Sequence, residues 1–86
     1  MLKIALSKKA FKFVKDLPPK QFRQVVGAVL SLTQNPKPHD SKPLKGYPYH
    51  RQDVGEYRVI YYVDGDTLKI PIIGKRNDDD VYRQLS

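Results

Sequence analysis

The sequence predicts an α+β domain of two layers, a helical hairpin packed on one face of a small, mostly antiparallel sheet. The order is β-α-α-β-β-β with a short C-terminal helical turn. Three observations predict it. Apolar residues recur at helical spacing on either side of Pro18-Pro19, and three β-rich runs after Pro48 are joined by Gly55-Glu56 and Asp64-Gly65-Asp66. A chain of 86 residues also has surface for one two-layer core and none for a second, so residues 1–86 form a single domain.

Leu2 to Leu6 alternate apolar and polar, which predicts a short strand with Leu2, Ile4 and Leu6 on one face. Ser7 is a good N-cap for the helix that follows, in which Ala10, Phe13, Val14 and Leu17 form the apolar stripe and Phe11 lies at its edge. The lysines at 8, 9, 12 and 15 fall largely outside that stripe. Leu17-Pro18-Pro19 ends the helix, because a residue before proline is pushed out of the α region, and Pro19 then suits the first turn of a second helix running to Gln34. Phe22, Val25, Val26, Val29, Leu30 and Leu32 give that helix a face to bury, and Gly27 weakens it by about 1 kcal/mol relative to Ala.

Asn35 to Pro43 is proline-rich and polar, and reads as a loop. Strands are predicted over Tyr49–Val54, Tyr57–Val63 and Thr67–Ile73, the Asp-Gly pair being a strong hairpin signal. Pro71 removes a ladder hydrogen bond and predicts a local irregularity. Asn77 to Asp80 supplies caps and negative charge for a closing turn containing Val81, Tyr82 and Leu85. The sheet face away from the helices is expected to be open.

With 16 Lys and Arg against 9 Asp and Glu, the formal charge of +7 points to a polyanionic partner. The absence of cysteine excludes disulfides and thiolate metal sites and is compatible with a reducing cytoplasm. No apolar run suits a signal peptide or a membrane span, so the chain is expected to be soluble, unprocessed, cytoplasmic and without a membrane partner.

Side chains alternate along a strand, so Tyr49, Arg51 and Asp53 share one face while His50 and Gln52 take the other. If Tyr57, Val59, Tyr61 and Val63 pack on the helices, Arg58 reaches the open face. Arg76 follows the last strand, and the Asn-Asp turn can bring Tyr82 back beside it. Arginine offers a permanent forked charge for phosphate oxygens, and tyrosine can stack on a base or exchange a proton. Strand parity gives His50 a structural place, and His39 has no role. Asp78-Asp79-Asp80 reads as helix capping, since consecutive side chains diverge around a helix. Without a His, Asp or Glu group at ligand spacing, no metal or other cofactor is expected.

LKG at 44–46, YHRQDV at 49–54, GEYRVIYYVD at 55–64 and GKR at 74–76 followed by Tyr82 resemble, in order and spacing, the RelE-type toxins of the RelE/ParE toxin–antitoxin superfamily. The strand and helical hairpin before Leu44 extend the resemblance over nearly the whole chain. It implies a type II toxin, a metal-independent endoribonuclease that cuts mRNA in the ribosomal A site by 2′-hydroxyl attack. Its partners are then a cognate antitoxin and the mRNA-bearing ribosome, with no small-molecule cofactor. Catalytic roles fall on Arg51, Arg58, Arg76 and Tyr82, and RNA contacts on Lys45, Tyr49 and Lys75. Tyr49 and Asp53 depart from the resemblance, standing where relatives often carry basic residues, and Asp53 is a second candidate base beside Tyr82. The alternative on the same fold is a ParE-like gyrase inhibitor or a catalytically degenerate interaction protein.

Overall fold

The computed structural model describes residues 1–77 and 80–85. Its elements are β1 (Lys3–Leu6), α1 (Lys8–Lys15), α2 (Pro19–Gln34), β2 (Lys42–Pro43), β3 (His50–Val54), β4 (Tyr57–Asp64), β5 (Thr67–Lys75) and α3 (Asp80–Leu85). The strands form one sheet in the order β1-β5-β4-β3-β2, parallel between β1 and β5 and antiparallel elsewhere. The predicted α+β class and helical hairpin are present.

Local chemistry explains the elements. The Ser7 hydroxyl accepts from the Ala10 amide at 3.0 Å, as an N-cap does, and also donates to the Pro71 carbonyl at 2.6 Å. One side chain therefore starts α1 and ties it to β5. Pro19 opens α2 as expected. The register shifts between Ile60 and Tyr62, whose partners on β5 are Ile72 and Lys69, so an extra β5 residue is accommodated beside Pro71, where an irregularity was predicted. Gly55 and Gly65 take φ of 58° and 62° in the β3–β4 and β4–β5 turns, a region in which a side chain would be strained.

Ala10, Val14, Val25, Val29 and Leu32 from the helices close over Val54, Tyr57, Val59, Tyr61, Leu68, Ile70 and Ile73 to form the main core. Three expectations need correction. Phe22 and Leu30 belong to the apolar period of α2 but are 39% and 50% exposed, because the buried face is narrower than the period. The proline-rich connection contains β2, which pairs with β3 as Lys42 opposite Arg51 and Pro43 opposite His50. The second sheet face is not simply open. Leu44, Ile60, Ile72 and Val81 form a smaller core there, with Tyr49, Tyr82 and Leu85 packed on it. The predicted C-terminal turn is thus a helix that covers part of the sheet. The capping assigned to Asp78 and Asp79 lies outside the described residues. Among the described residues no helix is long and apolar enough to cross a membrane.

Candidate active site

Asp53 on β3 stands directly opposite Arg58 on β4, and residues so paired project from the same face. Here the pairing becomes a two-pronged bond. Arg58 Nε donates to Asp53 Oδ1 at 2.6 Å and Nη2 donates to Oδ2 at 3.2 Å. The remaining arm of the guanidinium, Nη1, donates to the Tyr82 hydroxyl at 2.8 Å. Its carbon lies 5.6 Å from the centre of the Tyr82 ring, within cation–π range. These partners allow Arg58 to be buried at 8% exposure, where an unpaired charge would be costly.

Arg51, two residues before Asp53 and on the same strand face, donates through Nη1 to the same Tyr82 oxygen at 3.0 Å. A phenolic oxygen has two acceptor lone pairs and one proton. Both lone pairs are engaged by guanidinium groups, which leaves the proton for another acceptor. Tyr82 is carried there by α3, whose Val81 is fully buried in the smaller core. Arg76 is anchored by its amide, which donates to the Glu56 carbonyl at 2.9 Å. Its side chain, 44% exposed, places Nη1 3.9 Å from Asp53 Oδ2. The result is one cluster of three arginines, a tyrosine and a carboxylate.

The electrostatics follow from this geometry. The hydrogen bond from Arg58 holds the Asp53 carboxyl below its ordinary range, against the opposing effect of burial, and the charges of Arg58, Arg51 and Arg76 add to the lowering. The bond to Asp53 raises Arg58 in turn, again against burial. Asp53 is therefore a poor candidate for the general base suggested by its position. A carboxylate with a lowered pKa and both oxygens directed at arginines is a weakened proton acceptor.

No model of a protein family matches the chain, and no curated protein does. Solved structures do. A chain of the archaeal RelE–RelB complex from Pyrococcus horikoshii OT3 is 26% identical, with 90% of this chain and 97% of that chain covered and a TM-score of 0.78. The isolated E. coli RelE toxin is 19% identical, with coverages of 99% and 95% and a TM-score of 0.77. The YoeB dimer from Staphylococcus aureus is 24% identical, with coverages of 81% and 91% and a TM-score of 0.69. The fold is that of the RelE toxins.

Of the residues that the RelE resemblance singled out, Arg51, Arg58, Arg76 and Tyr82 meet in the cluster, Arg76 through Asp53. Lys45 is exposed on the rim of a depression that Arg51 and Tyr82 also line. Tyr49 packs on the smaller core, between Tyr47 and Tyr62. Lys75 is not brought in, since it pairs with Tyr57, whose ring packs against Phe13 on the helix side. His50 also faces that side, 5.8 Å from the Tyr61 ring, as its parity predicts. Sequence reasoning missed Asp53 as a clamp on Arg58. The signal was present in the short β3–β4 turn, which fixes Asp53 and Arg58 as partners once Gly55-Glu56 is read as a two-residue loop.

Proposed function

We propose that this chain is the toxin of a type II toxin–antitoxin pair and a metal-independent endoribonuclease acting in the cytoplasm on mRNA in the ribosomal A site. The observation that carries the reading is the Tyr82 hydroxyl, which accepts from both Arg51 and Arg58 beside the half-exposed Arg76. Cleavage of RNA through its own 2′-hydroxyl moves that proton away, forms a bond from O2′ to phosphorus, breaks the bond to the 5′-oxygen and leaves a 2′,3′-cyclic phosphate. The cluster supplies positive charge and one of the two proton transfers. With both phenolic lone pairs held by guanidinium groups, Tyr82 gives its proton to the departing 5′-oxygen, the proton of the 2′-hydroxyl passes to water, and Arg51 and Arg58 stabilise the phenolate left behind. Arg76, the most accessible of the cluster arginines with described ion pairs, suits the phosphate. Arg58 and Arg51 add positive charge as the pentavalent phosphate forms.

An antitoxin partner is supported by the neighbouring RelE–RelB complexes and by uncovered apolar surface along β1 and α2. Ile4, Leu6 and Leu30 are 42%, 37% and 50% exposed and line one groove with Val26. An extended, partly helical acidic segment fits that surface and the +7 charge.

The test is to express the chain in a translation extract with programmed ribosomes and map the mRNA ends. Discrete cuts in the A-site codon are expected, reduced about 10²-fold or more in Arg58→Ala and Arg76→Ala. Intact mRNA accompanied by gyrase-linked DNA breaks would replace this reading with the ParE-like one.

A further inference from the structure

Beside the cluster lies a shallow depression lined by Pro43, Leu44, Lys45, Tyr47, Arg51 and Tyr82. Two of the linings are aromatic, two are cationic and none is a carboxylate. Tyr47 is 42% exposed, and its backbone is held in a hydrogen-bonded turn. Its amide donates to the Leu44 carbonyl at 3.1 Å, and the Leu44 amide donates to the Tyr49 carbonyl at 2.9 Å. Gly46 at φ 84° closes the turn, while the buried Leu44 side chain roots it in the smaller core. The ring is also backed by others. Tyr47 and Tyr49 are parallel within 5° at 6.2 Å between centroids, and Tyr49 meets Tyr62 at 5.3 Å.

We propose that this depression is a subsite for one unpaired nucleobase of the RNA, with the Tyr47 ring as its stacking wall and Lys45 and Arg51 beside the adjoining phosphates. The inference rests on the ribonuclease reading and extends it to a residue outside the cluster. A half-exposed aromatic face next to cations is what base stacking requires, and stacking tolerates any base because each has a π-face. The shared wall, Tyr82, and the shared cation, Arg51, place the base next to the group proposed to act on the phosphate.

The experiment measures fluorescence anisotropy with a 5′-labelled 2′-O-methyl hexauridylate, which cannot be cut by 2′-oxygen attack, and with its abasic counterpart. The unaltered chain binds the base-bearing probe more tightly. Tyr47→Ala loses about tenfold in affinity for that probe while its affinity for the abasic probe is unchanged, and Tyr47→Phe stays within about twofold on both. Lys45→Ala weakens both probes and lowers the salt dependence, by about 0.7 in slope if one phosphate contact is lost. Equal affinity of Tyr47→Ala and the unaltered chain for the base-bearing probe would overturn the subsite, as would equal losses on both probes. So would a loss confined to a third probe, a labelled polyglutamate, which would assign the depression to an acidic protein. Cleavage on ribosomes is scored separately. A chain that cuts mRNA but fails the stacking test loses only the subsite, and one that stacks bases without cutting loses only the reaction.

Discussion

Asp53→Asn separates what holds the cluster together from what it does. The substitution keeps the shape and one acceptor oxygen, so the 2.6 Å bond from Arg58 Nε can persist, but it removes the charge and the second acceptor facing Nη2. Arg58 is 8% exposed and is left with Tyr82 and a neutral amide as partners. Loss of a charge-assisted bond costs about 1.5–3 kcal/mol, and the lower part of that range applies because the Asp53 side chain is 39% exposed and screened by water. About 2 kcal/mol corresponds to a Tm lower by roughly 8–16 °C in a domain of this size. The pH dependence gives a second readout. Asp53 has a lowered pKa in the fold, so its contribution is complete above its ordinary value near 3.8 and disappears as pH falls through the folded value. The stability gap between the unaltered chain and the Asn variant is therefore constant from about pH 5 to 8 and closes below about pH 4. Kinetically, a freed Arg58 is more available to phosphate and a less fixed Tyr82 is a poorer proton carrier. The variant should bind ribosome-bound mRNA at least as tightly and cut it about tenfold more slowly in single turnover, a change of about 1.4 kcal/mol in barrier. Thermal denaturation across pH and single-turnover mapping of mRNA ends measure these effects. An unchanged Tm at neutral pH together with an unchanged cutting rate would refute the clamp.

Tyr82→Phe keeps the ring and removes the shared acceptor of Arg51 and Arg58, and should lower the single-turnover rate about 10²–10⁴-fold with little change in affinity. Full activity would remove the hydroxyl from proton transfer. Ser7→Ala loses both the cap of α1 and the bond to Pro71, and denaturant unfolding should register about 1–2 kcal/mol of destabilisation. Gly27→Ala should act in the opposite direction, since Gly27 is exposed within α2 and an added Cβ meets nothing within 4 Å. A gain of about 0.5–1 kcal/mol in the same measurement is expected, and a loss would show that Gly27 serves a purpose in folding beyond helix propensity.

The alternation of β3 and β4 was legible because their tight turn and apolar pattern admit one register, and a slip by one residue would turn Arg51 and Arg58 into the core. The helices were legible in position but not in width. Their period identifies the buried side, whereas exposure of Phe22 and Leu30 depends on how far the sheet extends beneath α2. Pro71 announced an irregularity, but alternation does not say on which side the strand continues. Leu68 and Ile70 join Ile73 in the main core while Ile72 faces the other way, and that reset is what puts Lys75 opposite Tyr57. The smaller core was hidden for another reason. Leu44 and Val81 meet only because β3, β4 and β5 lie between the segments that carry them, and a contact of that kind has no local pattern.

On the proposed ribonuclease reading, the smaller core also explains how Tyr82 comes to serve the site. A six-residue helix is too short to be stable by itself, so α3 persists through what it buries, and Val81 at full burial fixes the neighbouring Tyr82. The Tyr82 oxygen then meets Arg51 and Arg58, whose strands are paired in register through Ile60 and Asp53. Packing thus sets the geometry and Asp53 sets the charge. At rest the carboxylate occupies the forked edge of Arg58 that a phosphate would otherwise take. A phosphate entering the cluster must either displace Asp53 or use the more exposed Arg76, and the second route leaves the Tyr82 contacts intact. The arrangement therefore favours an RNA delivered in a fixed orientation over one that diffuses in and must rearrange the site, because positioning spares the free energy of breaking the clamp. On the proposed reading, a ribosome-held mRNA therefore suits this cluster better than free RNA.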